Sequence, residues 1–257
     1  DFNQDCGIGT DRDALTPGEG LESHARAYLA WIDTIRARFP NVLFETCSSG
    51  GMRMDYATLS HFSIVSTSDQ TSYLRYPYIA GNVLSAVLPE QAAVWSYPVG
   101  TDTPGFTPTR EWVNEHISDE QIIMNMINSL LGRIHLASHV ELLNQDKLAL
   151  IKEGLDFYDG MTAFKKAAVP YLPLGLTRFG KKQVAAGLLH EGKLLLAVWN
   201  LGGEREMRIP LADLQPVGAR IAYPADARGT TCTLDADTVT VHFTEDYQAR
   251  MLEITLN

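Results

Sequence analysis

No stretch of this 257-residue chain approaches the roughly 20 consecutive apolar residues of a spanning helix, so no membrane partner is expected. Cysteine is scarce. Cys6, Cys47 and Cys232 lie far apart, without the paired spacing of a disulfide framework or a zinc module. Basic charge is also short: 21 Lys and Arg against 31 Asp and Glu leave a net charge of −10, which disfavours a phosphate-tracking surface and sets nucleic acid aside as a partner. The start lacks the charged and apolar regions of a signal peptide, so the expected compartment is the cytoplasm. Asp1-Phe-Asn-Gln-Asp-Cys-Gly opens without a lead-in and reads as a motif cut in its middle. Repeats and low-complexity tracts are absent. The Gly50-Gly51 pair falls short of a phosphate loop, and His116, His135 and His139 lack a tight metal spacing, so no nucleotide, metal or organic cofactor is expected.

What is present is a hydrophobic fraction of 45%, ordinary for a folded protein, arranged with two different periods. Thr16-Pro17-Gly18-Glu19 has capping-box spacing and leads into a helix over Leu21 to Phe39, with Leu21, Ala25, Tyr28, Leu29, Ile32, Ile35 and Phe39 on one face and Pro40 closing it. A short buried strand over Val42 to Thr46, a brief helical patch over Met54 to Leu59 and a strand over Ser63 to Thr67 follow. Tyr73 to Leu84 reads as a weak helix that Pro77 bends or restarts. Next come a strand at Ala92 to Tyr97 and a loop of Gly, Pro and Thr over Val99 to Thr109. Ser118-Asp-Glu-Gln121 then starts a helix with Ile122, Ile123, Met126, Ile127, Leu130 and Leu131 on a broad apolar face, followed by a strand at Arg133 to Leu136 and a helix over Asn144 to Tyr158. Strand and helix alternate as in a parallel sheet or barrel.

Near Ala168 the helical period ends. Short β-type runs recur at Gln183 to Leu189, Lys193 to Asn200, Met207 to Pro210, Arg220 to Tyr223, Thr238 to Phe243 and Ala249 to Thr255. Leu189-His-Glu-Gly-Lys193 and Asn200-Leu-Gly-Gly-Glu204 read as hairpin turns between them. The expected organisation is α/β: the second half of a (β/α)8 TIM barrel over 1–167 and an antiparallel β-sandwich domain over 168–257.

Carboxylates at strand tips carry the chemical signal: Asp1 and Asp5, Asp55 after the glycines, and Asp69 after the second strand. Spacing alone favours the plain alternative, in which such residues cap helices or stand as solvated charges. The sharper alternative is a carboxylate pair for glycoside hydrolysis, one group acting as nucleophile and the other as acid and then base. Cys47 as a nucleophile lacks a base that spacing would place beside it, His61 included. Trp95, Tyr97 and Trp112 flank the long loop, either to stack on a sugar or to pack a core.

Asp1-Phe-Asn-Gln, Thr46-Cys-Ser-Ser-Gly-Gly-Met-Arg-Met-Asp55 and Thr67-Ser-Asp-Gln-Thr71 resemble, in order, three signatures of the α-galactosidases of glycoside hydrolase family 36, the melibiase-like enzymes. The resemblance implies a retaining hydrolase of terminal α-galactosidic bonds with Asp1 as nucleophile and Asp69 as acid/base. It also implies substrate-binding residues Asn3, Cys47, Ser48, Gly50, Gly51, Arg53 and Ser68, with Cys47, Ser48, Gly50 and Gly51 as a small-residue wall, Asn3 as a donor to a sugar hydroxyl and Arg53 either on a hydroxyl or paired with Asp55 as scaffold, and an α-galactoside or related oligosaccharide as substrate. This chain departs from the family pattern at four points. The family's Lys before Asp1 is absent, Gln4 stands where many members have Arg, Ser66 replaces a frequent Trp, and Gln70 and Ser72 alter the usual acidic continuation. Action on another α-linked sugar, transfer to a sugar acceptor, and a non-catalytic fragment that binds sugar or self-associates as a homo-oligomer are the alternatives.

Overall fold

A computed structural model describes residues 7–100 and 106–257. The chain divides between Asp69 and Gln70 into two compact units.

The first unit contains α1 (Pro17–Arg38), β1 (Glu45–Thr46), α2 (Tyr56–His61) and β2 (Ile64–Ser66). Thr16 caps α1, its Oγ1 accepting from the Glu19 amide at 3.2 Å, while the Glu19 carboxylate reaches back to the Leu15 amide at 2.6 Å. Of the predicted apolar face of α1 only Ile32 is buried. Asp33 on this helix holds His61 at the end of α2, Oδ1 to Nδ1 at 2.8 Å, and Tyr28 stacks on Phe62. β1 and β2 pair in parallel, Glu45 opposite Ile64 and Thr46 opposite Val65. The strand expected from Val42 is shorter than its apolar run. The Val42 amide turns back to donate to the Phe39 carbonyl at 3.0 Å, and Val42 and Leu43 stay 52% and 67% exposed. A turn that spends a backbone donor on the preceding helix leaves none for a ladder at that position.

The second unit begins with α3 (Tyr76–Val83), β3 (Ala92–Ser96), α4 (Arg110–His116), α5 (Asp119–Leu130), β4 (Arg133–Leu136), α6 (Gln145–Gly160) and α7 (Thr162–Ala167). Pro77 lies in the first turn of α3 and starts the helix, where its missing N–H has no partner to lose. The short helices α4 and α7 were outside the sequence expectation. α4 is set by Thr109, whose hydroxyl accepts from the Trp112 amide at 3.3 Å. Ser118 caps α5 as its capping-box spacing predicts, and Asn144, read as the first residue of the next helix, is the cap of α6. β3 and β4 are parallel, with Trp95 opposite His135.

Every residue of α5 from Gln121 to Leu130 is buried, so the helix is covered on all sides and its polar side chains need internal partners. Asn125 Oδ1 accepts from the Tyr97 amide at 3.2 Å; Asn128 Oδ1 accepts from Trp199 Nε1 at 2.8 Å and its Nδ2 donates to the Tyr73 carbonyl at 3.1 Å. At the other end of α5 the buried Lys165 amine donates to the Leu130 carbonyl at 2.8 Å and to that of Gly132, over the Tyr158 ring. Burial outweighs the attraction of Glu90 and pushes the Lys165 pKa down to about 7.

Eight strands complete this unit: β5 (Val169–Tyr171), β6 (Gln183–His190), β7 (Lys193–Asn200), β8 (Glu206–Pro210), β9 (Pro216–Tyr223), β10 (Thr231–Asp235), β11 (Thr238–His242) and β12 (Gln248–Leu256). They form two antiparallel sheets, ordered β5-β6-β7-β12-β9 and β10-β11-β8. Leu194, Leu196, Val198, Leu252 and Ile254 of the larger sheet share one buried cluster with Met207, Ile209, Val239 and Val241 of the smaller. The β6–β7 hairpin turns at Glu191 and Gly192, both at positive φ, as a two-residue connection between twisted strands requires. The second predicted hairpin, at Asn200 to Glu204, is instead a crossing. β7 belongs to one sheet and β8 to the other, and the Asn200 side chain accepts from the Gly202 amide at 3.1 Å, turning the chain out of the first ladder.

Candidate active site

The site grows from two consecutive parallel strands of the first unit, β1 and β2, whose C-terminal ends run directly into loops. After Thr46 the chain enters three successive residues at positive φ, Ser49 at 45°, Gly50 at 59° and Gly51 at 88°. This coil folds onto the end of β2: the Gly51 amide donates to the Ser66 carbonyl at 2.9 Å. A methyl group built on Gly50 would meet the Asp69 nitrogen and the Ser68 Cα and carbonyl carbon, all at 2.4 Å, and one on Gly51 would meet the Thr67 carbonyl oxygen at 2.7 Å. Only glycine allows this backbone conformation and this approach together. The loop is closed at its far end by Asp55, which caps α2. Its Oδ1 accepts from the Thr58 amide at 2.9 Å and its Oδ2 from the Thr58 hydroxyl at 2.8 Å. Asp55 is therefore scaffold, as the plain reading of strand-tip acids held.

The fit makes Gly50→Ala costly. The expected loss is about 1–3 kcal/mol, from backbone strain and from displacing the 67–69 segment. Gly18→Ala, in the first turn of α1 with no atom nearer than 4.0 Å to the new methyl, is expected to be neutral or mildly stabilising. Urea midpoints for both variants check this. A Gly50→Ala protein as stable as the Gly18→Ala control would show that the loop does not sit where the structure puts it.

The structure thus brings Gly50 and Gly51 into backbone contact with Thr67, Ser68 and Asp69. Asp69 is exposed, Ser68, Cys47 and Arg53 are half-buried, and Ser48 is buried at 2%. Asp1 and Asn3 lie outside the described residues. His61 is held by Asp33 through Nδ1. Sequence reading did not find that pairing, because the partners lie on separate helices and no spacing rule joins them.

In the second unit, Trp95 stacks on Tyr97 with ring centroids 6.0 Å apart, and His135 stands edge-on to Trp95 at 5.0 Å. Trp112 instead stacks on His116 and meets Phe106 edge-on, on the surface helix α4. Among the described residues, no group of three or more His, Cys, Asp or Glu side chains is arranged to hold a metal ion.

Comparison with known proteins gives a family match and a fold match. Residues 19–93 match the melibiase family model. A stretch of 39 residues is 54% identical to α-galactosidase C of Emericella nidulans, covering 15% of this chain and 5% of that protein. A stretch of 42 residues is 50% identical to a probable α-galactosidase C of Aspergillus flavus, covering 16% and 6%. Among solved structures, a variant of the family 36 α-galactosidase AgaA of Geobacillus stearothermophilus, in complex with stachyose, superposes with a TM-score of 0.68 at 18% identity over 95% of this chain and 33% of that one. The galactosidase domain of the α-galactosidase-sucrose kinase AgaSK superposes with a TM-score of 0.65 at 16% identity, over 89% and 31%. The chain spans about a third of the length of these solved relatives. The melibiase match contains both the glycine loop and the Ser68-Asp69 tip, and the chain is melibiase-like, sharing the fold of the family 36 α-galactosidases.

Proposed function

We propose that the chain belongs to a retaining glycoside hydrolase that cleaves terminal α-galactosidic bonds by double displacement. Residues 1–167 are read as the second half of a (β/α)8 barrel, and residues 168–257, where two antiparallel sheets share one core, as a β-sandwich domain. The observation that carries the reading is the seating of the glycine loop on the Ser68-Asp69 tip. The loop packs against the backbone from which Asp69 projects, and both lie inside the melibiase match. The fit of galactosides to related sites supports the substrate class, since AgaA variants are seen with raffinose and stachyose.

In this mechanism the Asp1 carboxylate attacks the anomeric carbon while Asp69 gives its proton to the departing glycosidic oxygen, so the carbon–oxygen bond to the aglycone breaks as the bond to Asp1 forms. Asp69, now ionised, takes a proton from water. The water oxygen attacks the same carbon and releases Asp1. Asn3 is assigned to a sugar hydroxyl, Ser68 to substrate binding, Cys47, Ser48, Gly50 and Gly51 to the wall, and Arg53 either to a hydroxyl or to Asp55 as scaffold.

Proton NMR of 4-nitrophenyl α-galactoside hydrolysis tests the reading. α-Galactose is expected as the first-formed anomer, and β-galactose first would overturn the double displacement. The exposed Val42, Leu43 and Trp31 of the first unit favour a second reading, in which this chain alone binds sugar or self-associates without turnover. Binding of the galactoside without release of nitrophenol would establish it.

A further inference from the structure

We infer that a cavity between the α6–α7 turn and the five-stranded sheet is a binding site for a single-ring aromatic carboxylate. The inference goes beyond the proposed function and does not depend on it, and all of the residues concerned belong to the second unit. The sheet supplies one wall. Side chains alternate along a strand, so Leu194 and Leu196 of β7 face the smaller sheet in the shared core, while Lys193 and Leu195 face the other way. Glu253 of β12 lies opposite Leu195, and Arg220 of β9 opposite Glu253, which puts all four on that second face. The helices supply the rest. Phe157 and Gly160 of α6, Met161 at the turn and Phe164 of α7 meet the sheet around a space of about 210 Å³.

Size, lining and charge each narrow what this space can hold. A cavity of roughly 150 Å³ walled by Leu, Ile and Phe takes up benzene, whereas sites for drug-sized ligands run from about 300 Å³ upward, so the volume fits one ring with a short substituent. The apolar walls are two phenyl rings, a thioether and a leucine. They favour an aromatic ring through edge and sulfur contacts and offer few partners to the hydroxyls of a sugar. The charge at the rim is unbalanced, one carboxylate between two cations. Arg220 takes Glu253 Oε1 through Nε and Nη2 at 3.0 and 2.8 Å, and Lys193 reaches Oε2 only at 3.3 Å. Burial acts against the charge of Glu253, but these hydrogen bonds outweigh it and hold the carboxyl below its ordinary range, so one positive charge is left over. It sits on Lys193, where two of the three ammonium donors have no partner among the described residues. A carboxylate carried by the ring would engage them. The walls are also held before any ligand arrives. Phe157 packs on Tyr223, whose hydroxyl donates to the Leu150 carbonyl at 3.0 Å, and Phe164 stands edge-on to His190. The Met161 amide donates to the Phe157 and Tyr158 carbonyls at 3.1 and 3.2 Å and fixes the turn, so ordering the site costs little at the moment of binding.

Phenylacetate is the probe, titrated into the whole chain with its methionine methyls labelled for NMR. The Met161 methyl is expected to shift and saturate, while that of Met207, in the core between the two sheets, stays in place. Two variants test the walls and the charge. Gly160→Leu lies at the last position of α6, where no atom comes within 4 Å of the new Cβ, so it should fold as the parent does. Its side chain takes up the space and should lower the affinity at least about tenfold. Lys193→Gln leaves Glu253 paired with Arg220. It should weaken phenylacetate about tenfold and keep benzyl alcohol, a neutral ring of similar size, within about twofold of its parent affinity. No saturable shift at Met161 in the parent, or equal affinity in the parent and Gly160→Leu, overturns the site. Benzyl alcohol bound as tightly as phenylacetate, with Lys193→Gln without effect on either, overturns the anionic ligand. Should Gly160→Leu fail to fold, the parent titration and Lys193→Gln decide alone. Failure here leaves the proposed hydrolysis untouched, because none of these residues is assigned to it.

Discussion

Replacing Asp69 by Asn is expected to lower the hydrolysis of raffinose by about 10²–10⁴-fold, the usual worth of one positioned general acid–base group. The side chain is exposed just beyond β2, so the change removes the proposed proton donor without opening a cavity, and the melting temperature should stay where it is. The two half-reactions separate the roles. Departure of nitrophenolate needs little protonation, so 4-nitrophenyl α-galactoside should lose less than raffinose in the bond-breaking step and then stall at the covalent intermediate. Azide, which attacks the anomeric carbon without giving up a proton, should relieve that stall and yield the α-galactosyl azide. Activity of Asp69→Asn within about threefold of the parent on both substrates would sink the assignment of Asp69. The Gly50 contact gives this prediction its structural basis, since the same loop fixes the backbone from which Asp69 projects.

How much of this was legible in the sequence depended on the range of the forces involved. Helix starts were legible because a cap is a local contract. Thr16 and Ser118 each accept from an amide three residues on, and each could be read from spacing alone; Asn144 caps α6 in the same way where the sequence marked only the helix start. The same rule makes Asp55 a cap, which the residue's position after two glycines obscured. The strands β4 and β7 matched their apolar runs residue for residue. What sequence could not show was partnership at a distance. Val42 to Phe44 look like strand, but pairing begins only at Glu45, where a parallel neighbour is present. Asn200 to Glu204 has the residues of a hairpin turn, yet it passes between sheets, because turn chemistry fixes a bend and not the ladder that follows it. The glycine motif and the Ser68-Asp69 tip could each be marked in the sequence; that one rests on the other within van der Waals reach is a fact of the fold. The pairing of Trp95 with His135 likewise follows from parallel register, which no local pattern encodes.

Glu120→Ala is expected to destabilise the second unit by about 3–5 kcal/mol, because it strands a charge in the interior. Arg250 on β12 has no exposed side-chain surface, and its guanidinium meets the Glu120 carboxylate in a bidentate pair at 2.7 and 2.8 Å. The remaining donors go to the carbonyls of Ala227 and Ala249. The pair lies at the N-terminal turn of α5, where a carboxylate is favoured by the helix dipole and the arginine completes the neutralisation. Removing the glutamate leaves the arginine with its carbonyls but without a counter-charge, and arginine does not escape by losing its proton. Removing both partners is a different case. In the double variant Glu120→Ala, Arg250→Met no buried charge remains, and its stability should recover much of the single variant's loss, since a buried ion pair often does little better than apolar packing. Urea unfolding of the parent, both single variants and the double variant, at a common m-value, closes the cycle. A loss below about 1 kcal/mol for Glu120→Ala would place Arg250 in contact with water and contradict its burial. A double variant as unstable as the sum of the singles would mean that the two residues act separately. The expected non-additivity has a structural meaning: α5, buried from Gln121 to Leu130, is fastened at its first turn to β12 by charge, along its body to the Tyr97 amide just past β3 and to Trp199 of β7 by Asn125 and Asn128, and at its last carbonyl by Lys165.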